Sequence, residues 1–117
     1  MAQRVIVWTI TASKQRREIL KYWTVKNSST LYAEKLIKLV KVRIHTILRN
    51  PNAFKPTTFQ DVRVPSLGHF SIYYKITETE LIVVAFWDNR QDPKKLLEEI
   101  NHRVIPIFLI SQVNFYS

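Results

Sequence analysis

Residues 81–96 read LIVVAFWDNRQDPKKL, and the reading of this stretch decides the fold. Leu81 to Trp87 is an unbroken run of β-formers, the pattern of a buried strand. It feeds directly into a charged turn, Asp88-Asn89-Arg90-Gln91-Asp92-Pro93, and then into helix-forming Lys94 to Glu99. A buried strand that carries an arginine to its own end is a rigid mount for a cation. Asp92 ahead of Pro93 marks a helix start, and a helix N-terminus adds amide groups that favour an anion.

Upstream, Glu78-Thr79 reads as a tight turn and His69 to Thr77 (HFSIYYKIT) as a strand. Pro65-Ser66-Leu67-Gly68 separates that strand from another expected at Thr57 to Val64. Three strands joined by short turns predict an antiparallel meander. Further back, Arg4 to Thr9 (RVIVWT) is β-branched and aromatic and reads as a first strand. Thr11 or Ser13 is expected to cap a helix running to about Val25, with Ile19, Leu20 and Trp23 on its apolar side. Asn27 to Thr30 is a polar break. A second helix is expected from Leu31 to Leu48, because Leu36, Ile37, Val40, Ile44, Ile47 and Leu48 follow a 3.6-residue period. Asn50-Pro51-Asn52 stops it. The predicted order is β-α-α-β-β-β-α, an α+β fold with a helical hairpin packed on a small, mainly antiparallel sheet. The first strand is free to join as an edge or to pair across the sheet.

The chain has 117 residues, enough for one domain. Residues 1–101 are expected to form it. Residues 102–117 are expected to be an apolar C-terminal tail, since Val104 to Ser117 (VIPIFLISQVNFYS) carries no charge. An added strand, a flap on the core and a sticky terminus are all open for that tail. Hydrophobic residues make up 46 %, which excludes disorder. There is no cysteine, hence no disulfide and no thiolate chemistry, which suits a reducing cytoplasm. No apolar run approaches the ~20 residues that span a bilayer, so no membrane partner is expected. Lysine and arginine outnumber aspartate and glutamate 18 to 9, a net charge of +9. A field of that sign attracts a polyanion or an acidic partner.

Arg90 is the first candidate for chemistry, because a guanidinium presents planar donors that match a phosphate. An ion pair with Asp88 or Asp92 is the plain alternative. Arg63 and Lys75 lie on neighbouring predicted strands and, in some registers, would share a face with Arg90. Two or three cations on a concave sheet would bind a phosphodiester and stabilise developing charge. His69, beside Gly68, is a candidate general acid or base near neutral pH. His45 is mid-helix and reads as structural. Tyr73 and Tyr74 are consecutive, so one faces each way, and the outward one, taken as Tyr73, is a candidate ligand contact. Lys38 and Arg49 belong to a basic helical face with Lys35 and Arg43, suited to electrostatic docking. No histidine pair has metal-ligand spacing, so neither a metal nor a cofactor is expected.

Val7-Trp8-Thr9 with Ala12, the helical hairpin, Gly68-His69-Phe70-Ser71-Ile72-Tyr73-Tyr74 and Phe86 to Pro93 together give the chain a likeness. Over residues 4–100 it resembles the RelE/ParE superfamily of bacterial type II toxin–antitoxin toxins. The resemblance implies a growth-inhibiting toxin neutralised by a cognate antitoxin whose acidic or amphipathic segment wraps it. RelE-like members are metal-independent, ribosome-dependent endoribonucleases that act on messenger RNA. ParE-like members bind and poison DNA gyrase without chemistry of their own. An inactive relative that keeps antitoxin binding is a third possibility. On the endoribonuclease reading Arg90 and Arg63 would hold the phosphate, and His69 or Tyr73 would move protons. Lys75, Lys38 and Arg49 would hold the RNA. Where the family commonly has an arginine after the aromatic of the third strand, this chain has Ser71.

Overall fold

A computed structural model describes residues 4–59 and 61–96 and the backbone of residues 110–111. Strand β1 (Val5–Thr9) leads into helix α1 (Ile10–Asn27) and helix α2 (Leu31–Arg49). Strands β2 (Ser66–Leu67), β3 (Phe70–Ile76) and β4 (Glu80–Asp88) follow, then a helical turn at 93–96, and β5 (Ile110–Ser111). The expected α+β order holds, with the hairpin packed on the sheet.

The sheet order is β2-β3-β4-β1-β5. β4 lies between β3, antiparallel, and β1, parallel. The unbroken apolar run at 81–87 is thus a central strand covered on both faces. β1 pairs across the sheet, and β5 runs antiparallel along its other side, through Trp8 and Thr9. Of the three readings of the tail, its residues 110–111 take the added strand. The helix expected at 94–99 is seen in its first turn; its remainder lies outside the described residues.

Trp8, Ile72, Tyr74, Leu81, Val83 and Phe86 face the hairpin and pack with Ala12, Ile19, Leu36, Val40 and Ile44. Ala85, Trp87 and Leu96 form a smaller cluster on the opposite face, with Tyr73 against it. Alternation on β4 would put Val83, Ala85 and Trp87 together. It fails because Tyr73 pairs with Ala85 while Tyr74 pairs with Val83, leaving Val84 as an extra, bulged residue. Beyond the bulge the parity reverses, and Phe86 and Asp88 turn towards the helices.

Two sequence expectations need correction. The strand expected at Thr57–Val64 is a loop; among its described residues the bridge to the sheet is that of Arg63 to Tyr74, and Arg63 is also bridged to Pro56. The Thr57 hydroxyl accepts from the Phe59 amide and donates towards the Phe59 and Val62 carbonyls, so a side chain takes bonds that a strand ladder would need. Asp61 has a positive φ of 60°, and Pro65 lacks an amide proton, so the ladder begins only at Ser66. The cap of α1 is Thr9, whose hydroxyl accepts from the Ala12 amide at 3.1 Å, not Thr11 or Ser13. The helix therefore starts on the residue after the strand, and it runs on to Asn27.

Candidate functional site at the end of β4

Where β1 ends, α1 takes over the bonding of β4. The buried Gln15 side chain accepts from the Phe86 amide at 2.8 Å, and the Thr9 hydroxyl lies 3.4 Å from the Val84 carbonyl. These bonds set the outer flank of α1 beside the last residues of β4. The two enclose a hollow of about 550 Å³, lined on α1 by Glu18, Tyr22, Trp23 and Lys26, by Asp88 at the end of β4 and by Arg90 in the turn after it.

Asp88 and Arg90 are clasped together. Oδ1 of Asp88 accepts from the backbone amide of Arg90 at 3.0 Å and from its Nε at 2.9 Å, while Oδ2 accepts from Nη2 at 2.8 Å. Side-chain exposure is 44 % for Arg90 and 11 % for Asp88, so the pair is open to water on the arginine's side. Burial pushes the Asp88 carboxyl up, but the Arg90 hydrogen bonds and charge, with the nearby His69, outweigh it and hold the carboxyl below its ordinary range. The guanidinium also lies over Trp23, 4.8 Å from the ring centre, and 5.8 Å from that of Phe70. Lys26 approaches Trp23 at 5.1 Å and Tyr22 at 5.6 Å. Trp23 is itself packed on Tyr22 and Tyr32. The result is an aromatic ledge carrying two cations.

Ser71 is buried, and its hydroxyl donates to Oδ1 of Asn89 at 2.9 Å. The Asn89 amide donates to the His69 carbonyl at 2.8 Å. An uncharged tether therefore holds the turn that presents Arg90.

The other candidates are spread over the molecule. Arg63 donates from Nη1 to the Phe54 carbonyl at 2.6 Å, beyond the outer side of β3. Its bridge partner, Tyr74, is four residues along β3 from Phe70, the partner of Asp88; that is about 13 Å at the rise of a strand. The expected shared face for Arg63 and Arg90 is not formed, because a loop rather than a paired strand carries Arg63. His69 is exposed at the start of β3, near Asp88. Tyr73 is half-buried on the face away from the helices, where burial pushes its phenol up. Lys75 is exposed on that same face, opposite Ile82. Tyr74 points the other way, its hydroxyl donating to the Pro51 carbonyl at 2.5 Å. Lys38 and Arg49 are exposed on α2. The structure thus brings together Arg90, Asp88 and His69, and leaves Arg63, Tyr73, Lys75, Lys38 and Arg49 elsewhere. Sequence reasoning missed the Trp23–Lys26 ledge. Its signal was Tyr22-Trp23 one helical turn from Lys26.

The model of a protein family described as "ParE toxin of type II toxin-antitoxin system, parDE" matches residues 6–93. The chain belongs to the ParE toxin family of type II toxin–antitoxin systems. The ParE match takes in β1, the hairpin, β3, β4 and the Arg90 turn, and ends before the tail. Among solved structures, one described as the "Chromosomal ParDE TA system from P. aeruginosa" shares the fold, with a TM-score of 0.61 and 18 % identity. That similarity covers 72 % of this chain and 94 % of the other. No curated protein matches. Among the described residues no helix is long and apolar enough to cross a membrane.

Proposed function

We propose that this chain is a growth-arresting toxin, held in check by a cognate antitoxin in the bacterial cytoplasm, and that it arrests growth by binding DNA gyrase rather than by cutting RNA. The observation that carries this reading is the separation of Arg63 and Tyr73 from Arg90. Metal-free cleavage of a phosphodiester needs a free cation on the phosphate and a base within hydrogen-bond reach of the attacking hydroxyl. Here Arg63 is committed to a backbone carbonyl about 13 Å along β3 from the Arg90 site and Tyr73 lies on the other side of the sheet, so His69 alone of the expected partners stays near Arg90. Ser71 bonds Asn89 where the superfamily commonly has an arginine, so one expected phosphate-binding cation is missing. Binding makes no such demand. The hollow beside Arg90 and Lys26 suits an acidic segment of the antitoxin, whose carboxylates would meet two cations on an aromatic floor.

Induction of the chain alone tests the reading. The expected outcome is growth arrest with DNA breaks and an SOS response, inhibition of purified gyrase, and rescue by co-expression of the cognate antitoxin. Cut messages with unimpaired supercoiling would overturn it in favour of an endoribonuclease. Harmless overexpression would mark an inactive relative.

A further inference from the structure

Among the described residues, nothing packs on the outward face of α2, and it lies outside the hollow beside Arg90. The buried residues of α2 are Ala33, Leu36, Val40, Ile44 and Ile47. At 100° per residue the opposite face carries Leu31, Lys35, Lys38, Val42, His45 and Arg49, spaced by three and four, with Leu39 at its flank. Three of these are large aliphatic side chains left in water: Leu31 is 74 % exposed, Val42 64 % and Leu39 44 %. Lys35, Lys38 and Arg49 stand exposed around them. The helix holds five cations, Lys35, Lys38, Lys41, Arg43 and Arg49, against the single carboxylate of Glu34.

An aliphatic strip edged by one sign of charge specifies its occupant. A second copy of this chain is disfavoured, because a two-fold contact would set Lys35, Lys38 and Arg49 against themselves. A nucleic-acid backbone is disfavoured, because phosphates pressed against Leu39 and Val42 would lose water and gain no hydrogen bond. An amphipathic helix with aliphatic residues on one side and carboxylates along its borders satisfies both features, laying its apolar row on Leu31, Leu39 and Val42.

We infer that the outward face of α2 is the surface by which the toxin grips its protein target, and that the target presents an acidic helix with an aliphatic strip. The inference rests on the reading of the chain as a toxin that works by binding. It gives Lys38 and Arg49 a protein contact in place of an RNA contact. Leu39 and Val42 act as the apolar anchors, while the cations set the register and speed the encounter.

The test compares the full chain with Val42→Glu and with Lys35→Glu/Lys38→Glu, each induced in cells without antitoxin and each purified for thermal melts. All substituted side chains are exposed, so both variants are expected to melt like the parent. The expected result is that both lose growth arrest and inhibit purified gyrase roughly tenfold less well or worse. Variants that melt like the parent and arrest growth with undiminished strength overturn the inference while leaving the toxin reading intact. Parent chain that binds vesicles rich in phosphatidylglycerol or a single-stranded RNA 20-mer, with binding lost in Val42→Glu, overturns it in favour of a lipid or nucleic-acid face. Parent chain that never arrests growth overturns both the inference and the toxin reading.

Discussion

Arg90 and Arg63 are both arginines held by hydrogen bonds, and they are held for different ends. Arg90 gives its donors to a carboxylate at the rim of an open hollow. Arg63 gives a donor to the Phe54 carbonyl and so closes the 51–65 loop over Tyr74, whose hydroxyl reaches the Pro51 carbonyl in the same loop. A carboxylate partner can be exchanged for the carboxylate of another protein and can be protonated. A backbone carbonyl offers neither option. The first arginine is therefore a contact that a partner can compete for, and the second is a clasp.

The comparison can be broken most forcefully at Trp23. Trp23→Ala removes the floor beneath Arg90 and part of the packing between Tyr22 and Tyr32. For a half-buried tryptophan the expected loss is about 2 kcal/mol by urea unfolding. Were Arg90 held by the ring rather than by Asp88, the acid sensitivity described below would vanish with it; the expectation is that it persists. Arg63→Met keeps the aliphatic stem and leaves the Phe54 carbonyl without its charged donor. The expected cost is about 1.5 kcal/mol, with growth arrest in cells unchanged. A loss of arrest at unchanged stability would show Arg63 to be more than a clasp. Tyr74→Phe removes only the bond to the Pro51 carbonyl, for about 1 kcal/mol, and should speed proteolysis within 51–65 before any other segment.

The smallest effect is expected at Asp88. Its partner is nearly half exposed, so water screens the pair, and Asp88→Asn should cost under about 1 kcal/mol at neutral pH. Its signature is the pH profile. The native carboxyl is held below its ordinary range, so the stabilisation is complete above the ordinary value of about 4 and is lost as pH falls through the depressed native value. The parent should lose this increment between those two values, and Asp88→Asn should not. Parallel profiles for the two proteins would mean that Asp88 titrates normally and that the clasp contributes nothing.

Much of the fold was legible because it rests on local rules. The β-formers at 81–87, the 3.6-residue period of α2 and the Asn50-Pro51 stop each act within a few residues. The loop at 57–64 was misread as a strand because Thr57, Phe59 and Val62 have strand-like side chains. What decides against the strand is a hydroxyl that bonds its own neighbours, and composition does not display that choice. The site was legible only in part. Arg90 could be found as the residue after a buried strand, and Asp88 as its possible partner. Trp23 and Lys26 belong to another element, more than sixty positions away in sequence, and the Trp23 ring that both cations approach meets Arg90 only through the packing of α1 on β4. Arg63 and Arg90 share charge and approximate order along the chain, so sequence could not show that a loop keeps them apart.

The bulge at Val84 has a consequence larger than its size. One unpaired residue works as a half-turn of a screw, so everything after it comes out on the reverse side. An unbulged strand of the same residues, with Val84 paired to Tyr73, would keep its length and its composition. It would nonetheless carry the Asp88 side chain through to the surface occupied by Trp87, and the hollow beside α1 would lose the charged pair that distinguishes it.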